Sequence, residues 1–223
     1  MNLPGLITLR PEQTDLLAKA AQIIGNSFIE ELWSEEWVSA LDQFGATVER
    51  KKEILRATML DELTSHARYQ GAYMLEDETA AFGGFRYSEL KGQTHTSLDA
   101  EVPGFLKAIA TPGEMEALAE QSIAMERISQ FDWTRVRENE GDHIYLFAWA
   151  VDPEARGKGS LRRMIEPLFA YADENELNCY LECYSDHLQS MYEHFGFELI
   201  DVLSDPAFDI TERRMVRHPH TAF

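Results

Sequence analysis

The sequence predicts a mixed α/β (α+β) domain, and three observations carry that reading. Ile144 to Val151 is an uninterrupted apolar run, Ile-Tyr-Leu-Phe-Ala-Trp-Ala-Val, too continuous for a half-exposed strand and suited to one covered on both faces. A turn with two glycines, Arg156-Gly157-Lys158-Gly159-Ser160, follows it and leads into helical periodicity. Strand-like and helix-like segments alternate on both sides of this unit, with no repeat, low-complexity tract or linker that marks a domain boundary.

Taken in order, Leu6 to Leu9 reads as a short strand ended by Pro11. From Thr14 onward Leu16, Leu17, Ala20, Ala21, Ile23, Ile24 and Phe28 keep helical spacing, which predicts a first helix to about Glu31. Trp33 and Trp37 follow among Glu30, Glu31, Glu35 and Glu36. Tryptophans four apart form a core-facing helix stripe or, as the family resemblance given below implies, one wall of an acceptor site. A second helix spans about 47–69, with Ile54, Leu55, Met59 and Leu63 on its apolar side and His66, a surface or hydrogen-bonded histidine, near its end. Gly71 to Leu75 and Ala80 to Tyr87 form a hairpin around Glu76 to Thr79, and Gly83-Gly84 predicts a bulge or a close backbone approach.

From Ser88 to Gly141 the chain carries Pro103-Gly104, Pro112-Gly113 and an acidic helical stretch, Glu114 to Ile128. It is too long for a simple hairpin connection. It predicts a helical insertion at about 91–140 inside a single domain covering 1–223.

After the apolar strand, Asp152-Pro153-Glu154-Ala155 is a turn in which proline excludes helix. The glycine turn beyond it can aim amide groups and a helix dipole at an anion, a phosphate or pyrophosphate, or it can be an ordinary solvated turn. It matches neither the Walker spacing nor Gly-x-Gly-x-x-Gly, since Arg162 stands where the third glycine would fall. Leu161, Met164, Ile165, Leu168, Phe169 and Ala172 then keep helical spacing, with Pro167 predicting a bend near 163–167. Asn178 to Tyr184 is a strand. Ser185 or Asp186 caps a helix carrying Leu188, Met191, Tyr192 and Phe195, which Gly196 ends. Phe197 to Val202 and Ala207 to Val216 complete the strands, the last interrupted at Thr211-Glu212.

The run Val151-Asp-Pro-Glu-Ala-Arg-Gly-Lys-Gly159, with Tyr180-Leu-Glu-Cys-Tyr-Ser-Asp186 and Met191-Tyr-Glu-His-Phe-Gly-Phe197, resembles the two signature regions of the GNAT superfamily of acyl-CoA-dependent N-acyltransferases. Pro167 and Leu181-Glu182 resemble its puromycin N-acetyltransferase-like branch. The resemblance implies a central mixed, mostly antiparallel sheet of six to seven strands flanked by helices, splayed in a V between the strands at about 144–151 and 179–184. It implies acetyl-CoA as co-substrate and a small-molecule primary amine as acceptor, joined in a ternary complex. Backbone groups at Ala150 and Val151 would pair with the pantetheine arm, and Arg156, Gly157, Lys158, Gly159, Ser160 and Leu161 would hold the pyrophosphate. Tyr192 matches the general acid that protonates the leaving thiolate. Glu182 is the candidate base, or a carboxylate that only orients the ammonium, and an amine that loses its proton to water needs neither. The insertion, over the acceptor pocket, would set specificity.

Two positions depart from the family pattern. Leu161 stands where a second small residue usually ends the turn, and Asp186 where an asparagine often follows the strand. Both keep open a second reading, a non-catalytic ligand-sensing or interaction module with weakened coenzyme binding.

Composition narrows the partners. Asp and Glu number 39 against 20 Lys and Arg, a formal charge of −19, which opposes nucleic-acid binding through phosphates and favours a cationic ligand or simple solubility. Cys179 and Cys183 are four apart on one strand, about 13 Å by strand rise, too far for a disulfide. No zinc pattern is present, and His218-Pro-His220 would need ligands from elsewhere. The first ten residues carry no leader pattern and no stretch is long enough to span a bilayer, so the expectation is a cytoplasmic protein with reduced thiols and no membrane or metal partner. A homodimer stays open.

Overall fold

The apolar run becomes the central strand of the sheet. In this computed structural model, residues 1–130, 132–134 and 141–220 are described; the part of the expected insertion at 131 and 135–140 lies outside them. The strands are β1 (Leu6–Thr8), β2 (Ala72–Leu75), β3 (Ala80–Arg86), β4 (His143–Val151), β5 (Asn178–Cys183), β6 (Glu198–Ser204) and β7 (Thr211–Arg217). They form one sheet in the order β1-β2-β3-β4-β5-β7-β6. Only β4 and β5 run parallel; every other neighbouring pair is antiparallel. The mixed, mostly antiparallel sheet is therefore present with seven strands.

The helices are α1 (Thr14–Phe28), α2 (Leu32–Ser39), α3 (Val48–Ala67), α4 (His95–Asp99), α5 (Phe105–Ile109), α6 (Pro112–Met125), α7 (Ser160–Glu174) and α8 (Asp186–His194). On one face of the sheet α7 buries Met164, Leu168 and Ala172 against Ile144, Leu146, Cys179 and Leu181. On the other, Leu17, Ala20, Ile24, Met59 and Leu63 of α1 and α3 pack on Met74, Ala81 and Ala150. Both helical stripes fall where the apolar spacing puts them.

Local differences have local causes. Pro153 does not exclude helix; it occupies the first position of a single 3₁₀ turn, Pro153–Ala155, where its missing N–H costs nothing. Helix α7 runs on through Pro167, which removes only the bond to the Arg163 carbonyl. The last strand begins at Thr211, because a turn at Asp205 accepts the Ala207 and Phe208 amides first. His66 is fully buried, its Nδ1 2.9 Å from the Glu62 carbonyl.

Two features open the sheet at its centre. Parallel pairing of β4 with β5 runs only from His143–Asn178 to Tyr145–Tyr180, although β4 continues to Val151 and β5 to Cys183. Beyond Tyr145 the strands diverge, as the V-shaped splay requires. On the other side of β4, the register with β3 slips between Ala81 and Gly83. The extra residue falls in β4, where Ala148 takes φ +52°, so the bulge lies in the partner strand and not at Gly83-Gly84, which pair in register with Phe147 and Leu146. Gly83 is required for contact: a Cβ there would lie 2.1 Å from the Phe147 ring.

Candidate functional site

The splay opens into a cavity of about 1220 Å³ that reaches from the glycine turn through the sheet to α2 and α3. Strand alternation explains how one cavity meets two sets of side chains. Leu146, Leu181 and Cys183 belong to the α7 face, whereas Phe147, Glu182 and Tyr184 point to the opposite face. A gap between the strands joins both.

On the α7 side, the turn is shaped by Gly157 at φ +75° and Gly159 at φ +83°, with open space where a Cβ would be. These are conformations that favour glycine. Gly159 begins α7 with no side chain capping it, which leaves amides of the first turn to an incoming anion. The turn is anchored from the β2–β3 hairpin, where Thr79 donates to Ser160 Oγ at 3.1 Å and Asp77 pairs with Arg163 at 2.6 Å. Arg156, Gly157, Gly159, Ser160 and Leu161 line the cavity, as do Ala150 and Val151 of β4. Lys158 is turned back, its Nζ 2.7 Å from the Glu154 carbonyl.

The two departures do not obstruct this hollow. Leu161 packs against the core at the cavity wall. Asp186 is 94% exposed and pairs with Arg213 outside the cavity, while Ser185 alone caps α8 by accepting from the Leu188 amide.

Tyr192 is 92% buried, set edge-on to Trp149 and Phe197, with the ring at the cavity wall. Burial pushes its phenol well above the ordinary tyrosine value, so it stays protonated. Across the splay, Glu182 accepts from Tyr145 Oη at 2.6 Å and from Trp133 Nε1 at 2.9 Å. Burial, followed by repulsion from Glu212, pushes its carboxyl up to about 7 despite both donors. That makes it a proton acceptor near neutrality, which an ordinary carboxylate is not.

The far wall is aromatic and acidic. Trp33 and Trp37 stack at 6.0 Å, and Trp37 Nε1 donates to Ser122 Oγ (2.9 Å) and the Leu118 carbonyl (3.2 Å) of α6. The pair thus serves as both core stripe and wall. Glu31 caps α2 through the Ser34 amide, with burial raising its carboxyl above the usual range. Glu62 lies 3.3 Å from His95 Nε2, and burial holds that imidazole down at about 4, hence neutral. Val102, Leu106 and Ser122, from the segment between β3 and β4, reach the same wall.

Sequence reasoning names Tyr192, Glu182 and the turn, and these meet at one cavity. It misses Tyr145, Trp133, Tyr184 and Glu212, which surround Glu182 and which no local spacing marks, because strand register and chain return bring them together. His218 instead lies 2.9 Å from Asn178 Oδ1. Among the described residues no three His, Cys, Asp or Glu gather as a metal site, both cysteines are free, and no helix is long and apolar enough to cross a membrane.

Comparison with known proteins follows the same geometry. Residues 108–197 match the acetyltransferase (GNAT) family. Over 62 residues the chain is 40% identical to an uncharacterized N-acetyltransferase of Schizosaccharomyces pombe, a stretch that is 28% of this chain and 25% of that protein. The chain therefore matches only a quarter of that relative's length. A solved structure of a histone acetyltransferase and related acetyltransferase from Corynebacterium glutamicum superposes over 99% of both chains, with TM-score 0.55 and 17% identity. The polyamine N-acetyltransferase of Drosophila melanogaster, which forms N-acetylagmatine, gives TM-score 0.50 and 16% identity over 96% of this chain and 98% of that one. At such identities the likeness to the solved structures is one of fold.

Proposed function

We propose that this chain, which matches the GNAT family over residues 108–197 and shares a fold with solved acetyltransferases, is a GNAT acetyl-CoA-dependent N-acetyltransferase acting on a primary amine of a small molecule in a ternary complex. One observation carries the reading: a single cavity takes in an uncapped helix start, a splayed strand pair, a protonated phenol and a carboxyl poised near neutrality.

The residues fit the coenzyme. The turn from Arg156 to Leu161 would hold the pyrophosphate, with positive-φ glycines admitting it to the main chain. The backbone of Ala150 and Val151, past the end of β4–β5 pairing, would meet the pantetheine arm. When bound, acetyl-CoA supplies a thioester carbonyl activated toward amines.

The chain's own groups then divide the proton work. Glu182 accepts a proton from the bound ammonium, freeing the nitrogen lone pair. That nitrogen attacks the thioester carbonyl carbon; the C–N bond forms and the C–S bond breaks. Tyr192 gives its phenolic proton to the departing thiolate and is reprotonated by the proton the new amide nitrogen sheds. A phenol suits this task because it is a weak acid that is still protonated when the thiolate leaves.

The acidic and aromatic far wall favours a cationic acceptor, as does the net charge of −19. The insertion, through Val102, Leu106 and Ser122, would select among such amines, and free Cys179 and Cys183 suit a reducing, cytoplasmic compartment. Incubating the chain with acetyl-CoA and a panel of amines, with thiol release as readout, tests the reading. Amine-dependent release supports it. No thiol release with any amine, together with no heat of acetyl-CoA binding, removes it in favour of the sensing module.

A further inference from the structure

Glu212 is 1% exposed, carries an ionisable group, and does not line the cavity. Its place is set by register. Glu182 of β5 lies opposite Arg214 of β7, so Glu212, two residues earlier on β7, shares the face of Glu182 as its diagonal neighbour. A chain of side chains joins the two carboxylates, with hydrogen bonds at its ends and a cation–π stack between them. Glu212 accepts from Arg214 Nε at 2.6 Å and from Tyr184 Oη at 3.0 Å. Arg214 stacks its guanidinium 5.2 Å over the Trp133 ring, and Trp133 Nε1 donates to Glu182. Ser129 lies 2.8 Å from Tyr184 Oη. Two segments of the insertion, Ser129 and Trp133, thus close the layer.

Two acids share one arginine, Glu212 shut away from solvent and Glu182 half-buried at the cavity wall. Arg214 is turned to Glu212, and what charge it has left also meets Asp201 at 3.3 Å. The other titratable groups facing Glu182 are Tyr145 from β4 and Tyr184 from β5, with Glu31 from α2 within electrostatic reach of Tyr184 and His95 neutral beyond Tyr145. None of them adds a positive charge.

We propose that Glu212 is a positioning residue that acts through Glu182, its buried carboxylate making Glu182 a proton acceptor fitted to an alkylammonium at neutral pH. An ordinary carboxyl near 4.3 faces an ammonium near 10, a gap of about 6 pK units that makes it a feeble base. A second carboxylate beside it narrows that gap; burial raises the Glu212 carboxyl as well, against which the Arg214 and Tyr184 bonds favour its charged form. This inference rests on the acetyltransferase reading for its kinetic test and stands without it for the spectroscopic one.

The experiment pairs Glu212→Gln with Glu212→Asp. In Glu212→Gln the repulsion disappears and Arg214 is released toward Glu182, so the acid limb of kcat/KM moves down by one pH unit or more, plateau kcat falls severalfold, and KM for the amine stays within twofold. Glu212→Asp returns the limb part of the way. A limb that does not move in Glu212→Gln overturns the proposal. If that variant fails to fold, ¹³C titration of the wild-type glutamate carboxyls decides, with the Glu182 signal assigned by its loss in Glu182→Gln. A Glu182 curve with two inflections, the second shared with Glu212, supports the coupling; one independent inflection overturns it. Should the chain acetylate no amine, the acetyltransferase reading fails by itself and the titration still settles the role of Glu212.

Discussion

The Tyr145 hydroxyl donates to Glu182 across 2.6 Å from the last residue of β4 that still pairs with β5. The candidate base is therefore held at the apex of the splay, where the sheet ceases to be continuous. Because burial raises its carboxyl, function and stability pull apart at this residue. Between its unfolded value near 4.3 and its folded value of about 7 the folded state binds the extra proton, so stability falls as pH rises through that window and stays low above it. Glu182→Gln removes the penalty. We expect turnover to drop roughly 10²–10³-fold, while unfolding at pH 8 becomes harder by about 1–3 kcal/mol. Denaturant melts beside thiol-release rates check both; a variant that is both active and less stable at pH 8 sinks the assignment.

The same group fixes a pH profile. Only the carboxylate form accepts a proton, so kcat/KM declines about tenfold per pH unit below about 7. In Glu182→Gln the remaining slow reaction has no such limb. A limb that persists in that variant belongs to another residue.

Tyr192→Phe separates proton donation from packing. The ring keeps its edge contacts with Trp149 and Phe197, and only the hydroxyl is lost. The outcome we expect is a kcat lower by about 10²-fold with acetyl-CoA affinity unchanged by calorimetry. Equal turnover would take the phenol out of the mechanism.

How far the sequence carried this site depends on how local each part is. Ile144 to Val151, the Gly157 and Gly159 turn and the Ser185 cap follow from spacing and from residues with special backbone freedom, and each is found where expected. Tyr192 and Glu182 were legible through their flanking motifs. Of the two expectations at Gly83-Gly84, the close approach is there, but the bulge is in β4, and its strained residue, Ala148, gives no sign, since alanine has no preference for φ +52°. The layer of Trp133, Arg214, Glu212 and Tyr184 was invisible, because strand register and the long connection from β3 to β4 bring those residues together. Asp186, next to the motif in sequence, points to Arg213 and solvent.

Gly159→Ala tests the anion cradle by its backbone. No atom lies near the added methyl, so sterics with neighbours do not enter, but φ +83° does. Relaxing that angle tilts the amides that begin α7, at a backbone cost of about 1 kcal/mol or more. Acetyl-CoA should bind at least several-fold more weakly, read by calorimetry, with the amine KM at saturating coenzyme nearly constant. Unaltered coenzyme affinity would place the pyrophosphate elsewhere.

Gly83→Ala probes the pinch between β3 and β4 that lets β4 bulge. The new methyl would stand 2.1 Å from Phe147 Cζ, and that ring is wedged against Phe85, His66 and His95. Overpacking of this kind costs about 1–3 kcal/mol, so the melting temperature should fall. Because the strain is specific to one ring, shortening it in Gly83→Ala/Phe147→Leu should recover part of the loss, whereas Phe147→Leu alone destabilises by emptying space in the same cluster. Additive losses in the double variant would mean that the glycine serves the backbone rather than the ring, and the account of the bulge given by this contact would fail.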